Sequence, residues 1–109
     1  DDTWTRLAPN RHANEAALPR RVQRLAQTWE ELRTAPAVDE VRMEALFFEL
    51  HRLGGLGSKS GYPEVSRLVG KLEDDLAAWH ARPTTGNRAA VDRRMDEVRQ
   101  AAERWGGRR

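Results

Sequence analysis

Four apolar stripes, each repeating at helical spacing, restrict this chain to one kind of fold. Leu18, Val22, Leu25, Trp29 and Leu32 fall at i, i+4, i+7, i+11 and i+14. Met43, Leu46, Phe47, Leu50 and Leu53 follow at i, i+3, i+4, i+7 and i+10. Val65, Leu68, Leu72, Leu76 and Trp79 form the third set, and Val91, Met95, Val98, Ala102 and Trp105 the fourth. Residues so spaced share one face of an α-helix. The segments between the stripes, at 34–37, 61–62 and 82–86, carry Pro, Gly and Thr, which punctuate helices. No alternating strand pattern occurs anywhere. The pattern predicts an all-α protein: an antiparallel up-down-up-down four-helix bundle with a short N-terminal lead-in.

The boundaries follow from local chemistry. Residues 1–13 carry Trp4 and Leu7 among polar neighbours and read as the lead-in, with the bundle spanning 14–109. Asn14 is suited to capping the first helix. Pro19 marks a helix start or kinks the first turn. The second helix is expected from about 38 to 59. The third starts at Pro63, a residue favoured in a first turn, and runs to about His80. Asn87 is expected to cap the last helix, Gly106 and Gly107 to stop it, and Arg108 and Arg109 to form a tail.

At 109 residues the chain suffices for one domain. It has no cysteine, which excludes disulfides, thiolate metal sites and thiol nucleophiles. No apolar run approaches the ~20 residues of a membrane span, and no signal-peptide pattern is visible. A cytoplasmic domain without direct membrane contact is therefore expected. The first residue is Asp rather than Met, which fits a segment of a longer protein. Seventeen Arg and two Lys are nearly balanced by acidic residues, for a net charge of +2. That balance argues against a dedicated nucleic-acid binder, which concentrates basic residues on one face.

The second stripe runs into glycine. Either the helix ends near Leu53 and a loop follows, or it continues through Gly54, Gly55 and Gly57 towards Gly61. Continuing costs about 1 kcal/mol per glycine relative to Ala, about 3 kcal/mol for the three. A helix that keeps them has a reason, most often the close approach of another body. Gly54 and Gly55 are the i+3 and i+4 neighbours of His51, so the backbone beside that ring is bare. Hairpin counting favours the longer helix. With the turn near Gly61 and Tyr62, residues equidistant from it lie side by side. His51 is eleven residues before Tyr62 and Glu73 eleven after it, so the two are expected to pair.

The pattern His51-x-Leu53-x-Gly55, with Gly61 ten residues after the histidine and Leu72-Glu73 beyond, resembles the histidine-containing phosphotransfer (HPt) domain. The resemblance covers about residues 14–80 and is densest from Leu46 to Glu73. Many members carry Lys three residues after the histidine, where this chain has Gly54. The resemblance implies a phosphoacceptor His51, taking a phosphoryl group from a receiver-domain aspartate or a histidine kinase and passing it to a receiver. Such a domain is a phosphocarrier rather than an enzyme. It needs no cofactor or metal of its own, since the receiver supplies the acidic pocket and its Mg²⁺. Glu73, where members often place Glu or Gln, would hold one ring N–H and leave the other nitrogen free as nucleophile. A monomer suffices, because four amphipathic helices require no pairing across subunits.

Around His51, Phe48 lies three residues back. It either widens the core face or joins an apolar docking patch with Gly54 and Gly55. Arg52 and Lys59 could offset phosphate charge or meet acidic groups of a receiver. Each residue also has an ordinary reading: a structural histidine, a solvated Glu73, surface cations. The competing function is a helical interaction module that docks partners through Phe48, His51 and Gly55 without carrying phosphate. A basic nucleic-acid-binding bundle is a third, with steep salt dependence as its signature. Other chemistry fails on spacing. Gly57-Ser58-Lys59-Ser60 lacks the Gly-Lys-Ser/Thr core of a P-loop and follows no strand, and His12, His51 and His80 lack metal-ligand spacing. No serine sits in a nucleophile-elbow sequence.

Overall fold

The computed structural model describes the backbone of residues 2–59 and 62–106 and the side chains of 18–55 and 62–105. Four helices follow one another: α1 (Asp2–Thr34), α2 (Glu40–Lys59), α3 (Pro63–Ala81) and α4 (Thr85–Gly106). Among the described residues there is no strand. Each helix packs on its two sequence neighbours and α4 closes back on α1, leaving α1–α3 and α2–α4 as diagonals. This is the expected antiparallel bundle.

The four stripes form the core. Every stripe residue is buried except Phe47 and Trp105, which pack partly buried against it. The diagonal is bridged by the largest side chains. Trp29 of α1 and Trp79 of α3 meet edge-to-face with ring centroids 4.8 Å apart, a favoured aromatic geometry. The indole Nε1–H of Trp29 donates to Asp92 Oδ1 at 2.7 Å, so its polar edge is satisfied by α4. Arg94 on α4 donates to Asp75 on α3 at 2.9 Å. That hydrogen bond holds the guanidinium's pKa above its ordinary value, with desolvation opposing it.

Three local expectations are corrected. Helix α1 runs without a break from Asp2, so residues 2–13 are helical and continuous with the bundle helix, and Asn14 lies inside the helix instead of capping it. Pro9 and Pro19 both sit within it. Each proline removes one N–H from the ladder, yet neither ends the helix. The cap of α4 is Thr84, whose Oγ1 accepts the Asn87 N–H at 3.1 Å. Asn87 serves the preceding helix instead: its Nδ2 donates to the carbonyls of Ala78 (3.3 Å) and Arg82 (2.8 Å), groups that a helix C-terminus leaves unpaired. Asp39, not anticipated, caps α2 by accepting the Arg42 N–H at 3.1 Å.

The two caps make a prediction. Thr84→Ala is expected to lower stability by about 1 kcal/mol, or about 4–8 °C in a domain of this size. Thermal unfolding followed by circular dichroism checks it, and an unchanged midpoint would return the capping role to Asn87.

Candidate functional site

The site lies on the outer face of the α2–α3 pair. Helix α2 continues through Gly54, Gly55 and Gly57 to Lys59, the longer of the two alternatives. Helix α3 starts after Tyr62 with Pro63 in its first turn. Two antiparallel helices of this length bring position 51 level with position 73, because each residue adds a fixed 1.5 Å of rise.

His51 stands out from the bundle with 85% of its side chain exposed. Its Nδ1 lies 4.0 Å from Glu73 Oε2. That is beyond direct hydrogen-bond length but close enough for a carboxylate to bias which ring nitrogen carries the proton. Nε2, on the far side of the ring, meets no partner among the described residues. Glu73 is itself half-buried, with its carboxylate turned towards α2.

The second histidine on this pair of helices is built differently. His80 Nε2 is bonded to Glu40 Oε1 at 2.8 Å, and its ring leans towards Phe47 with centroids 6.3 Å apart. Its outer nitrogen is therefore occupied. The α2–α3 seam thus carries two His–Glu pairs, His51–Glu73 midway along both helices and His80–Glu40 at one end, and of these two histidines His51 leaves Nε2 open.

The glycines divide into two jobs. A Cβ on Gly55 would meet nothing within 4 Å, so this residue is bare towards solvent, one turn from His51. A Cβ on Gly54 would lie 3.5 Å from Val69 Cγ1, and the Gly54 carbonyl accepts the Ser66 hydroxyl at 2.9 Å. Gly54 therefore faces α3 and lets the two helices approach. Gly61 and the Lys59 side chain lie outside the described residues, as do the side chains of Trp4, Leu7, His12 and Asn14.

Phe48 is 61% exposed, which overturns the reading of it as a wider core face. The Arg52 guanidinium lies over its ring, 5.8 Å from the centroid, while Nη1 donates to Glu49 at 3.2 Å. One further exposed residue escaped the sequence reading. Val41 is 80% exposed, and its only sequence signal was its position off the apolar stripe.

Among the described residues no cluster of three or more His, Asp or Glu side chains could hold a metal ion. No helix among them is long and apolar enough to cross a membrane.

What this arrangement can do is limited and specific. An exposed imidazole can act as a nucleophile, and a carboxylate facing its other nitrogen can bias its tautomer. No curated protein and no solved structure matches the chain significantly. A protein-family model described as "Hpt domain" matches residues 15–105, which contain the whole α2–α3 seam. The chain belongs to the Hpt domain family, the histidine phosphotransfer modules of phosphorelays.

Proposed function

We propose that His51 is the phosphoacceptor, that Glu73 orients it, and that the donor and recipient are receiver domains of response regulators, with a histidine kinase as an alternative donor. The observation that carries this is the open Nε2 of an exposed imidazole whose Nδ1 faces Glu73, beside the bare backbone of Gly55.

On this reading the Nε2 lone pair attacks the phosphorus of a receiver aspartyl phosphate. The N–P bond forms as the P–O bond breaks, and the departing electron pair stays with the aspartate carboxylate. The Nδ1 proton remains on the ring, so the product is a phosphorylated imidazolium. Glu73 faces the charge that develops there. Transfer onward is the same step reversed, onto a second aspartate. The partner contributes the acidic pocket and the Mg²⁺ that spreads the charge of the moving phosphoryl group. The domain itself carries no cofactor, acts as a monomer in the cytoplasm, and contributes an oriented nucleophile together with a surface for docking.

Removing Glu73 measures its contribution. Two unit charges 4 Å apart in water attract by about 1 kcal/mol, so Glu73→Ala is expected to slow transfer at least about fivefold. Glu73→Gln, which keeps an acceptor for Nδ1–H without the charge, is expected to fall between. Single-turnover transfer from a phosphorylated receiver gives the three rates. Equal rates for all three proteins would remove Glu73 from the mechanism.

A further inference from the structure

Val41 and Phe48 are the two large hydrophobic side chains that the described residues expose. They are seven residues apart, and Gly55 is seven further on. Seven residues are nearly two helical turns, so Val41, Phe48 and Gly55 form one line along the outer face of α2. Ala45, also exposed, fills the gap between the first two. His51 flanks this line on the α3 side and Arg52 on the other.

We propose, resting on the phosphotransfer reading, that this line is one continuous docking stripe for the receiver domain, and that Val41 is its remote anchor. Three features of the helix support this. The first is reach. A standard interface covers about 800 Å² on each partner, a disc of roughly 16 Å radius. Val41 lies ten residues from His51, about 15 Å along the helix axis. A globular partner seated over Nε2 therefore reaches Val41. Towards the other end α2 stops within eight residues, at Lys59, so more of the footprint lies on the Val41 side.

The second is local cost. Val41 is the second residue after the Asp39 cap. A first helical turn favours acidic side chains, and valine is a modest helix former. An 80%-exposed valine there contributes nothing to the core. The third is the choice of occupant. A second copy paired through the same stripe would lie across His51 of both chains and close the open nitrogen. Two exposed side chains and an alanine also make a small apolar area, suited to the short-lived encounter that phosphoryl transfer requires rather than to a permanent dimer.

The test separates docking from chemistry. The receiver that labels the wild-type domain fastest in a panel of phosphorylated receivers is titrated against wild type, Val41→Asp and Phe48→Asp. Phosphoramidate, a donor too small to need the stripe, labels each protein in parallel. Val41→Asp is expected to raise the receiver KM about tenfold and Phe48→Asp about thirtyfold. For Val41→Asp the saturating rate and the phosphoramidate labelling stay within twofold of wild type, and it unfolds no earlier than wild type. A normal KM for Val41→Asp beside an impaired Phe48→Asp would end the footprint at Phe48 and overturn the proposal. Concentration-dependent dimers of the wild type that Val41→Asp dissolves would assign the stripe to a second copy instead. If neither donor labels the wild type, the phosphotransfer reading fails, and the stripe's assignment to a receiver fails with it.

Discussion

His51→Ala is expected to abolish phosphoryl acceptance from every donor while leaving the bundle intact. Both halves follow from the position of the side chain. With 85% of the ring exposed, its removal opens no cavity and strands no buried polar group. Alanine is also the better helix former, so the unfolding midpoint should hold or rise slightly. Among the described residues the chemistry has no substitute. His80 has Nε2 bonded to Glu40, so it is not expected to take over. Transfer should therefore fall to background rather than to a residual rate. Radiolabel transfer beside thermal unfolding checks both halves. A variant that loses transfer because it unfolds would say nothing about the nucleophile, which is why the midpoint is measured on the same sample.

Gly55→Arg is the second large effect expected, with stability and function moving in opposite directions. A Cβ at position 55 meets open space, and arginine gains about 1 kcal/mol over glycine in a helix interior. The variant should be as stable as the parent or more so. Yet its side chain would occupy the surface one turn from Nε2, where a receiver must bring its aspartyl phosphate to within bonding distance of the ring. Transfer from receivers is expected to drop more than tenfold, while labelling by phosphoramidate persists. Undiminished transfer would mean that the bare backbone serves something other than approach. Gly54 provides the contrast. Its missing side chain is directed at Val69 of α3, so substitution there disturbs the helix pair before it disturbs a partner.

The contrast shows what the sequence could and could not reveal. His51 and Glu73 were paired by counting residues from the turn, and they lie 4.0 Å apart. Counting works there because two straight antiparallel helices have the same rise per residue, so register survives over eleven positions. The buried stripes were legible for a related reason, since burial is what selects apolar residues at that period. Rotation about the helix axis was less legible. Adjacent residues differ by about 100°, and the stripe pattern left Phe48 undecided between core and solvent. For the same reason it did not separate Gly54, which faces α3, from Gly55, which faces outward.

Pairs between distant segments were also hidden. Trp29 with Asp92 and His80 with Glu40 join residues 63 and 40 positions apart, and nothing local marks either contact. The caps were misjudged at α4 because Thr84 and Asn87 are both good capping residues. Which one caps depends on where the chain turns after Arg82, a tertiary matter. The continuous α1 shows the limit of breaker rules. Pro19 was read as a helix start or a kink, but the helix carries it, and Pro9 as well.

The account stands most directly on one atom, Nε2 of His51. The decisive measurement is to label the domain from a phosphorylated receiver and then map the label by mass spectrometry and phosphorus NMR. The account predicts a single acid-labile, base-stable phosphoryl group on His51, bonded to Nε2, with Nδ1 still protonated. A label on His80 or His12, a phosphoryl group on Nδ1 of His51, or an acid-stable label on a hydroxyl would contradict it.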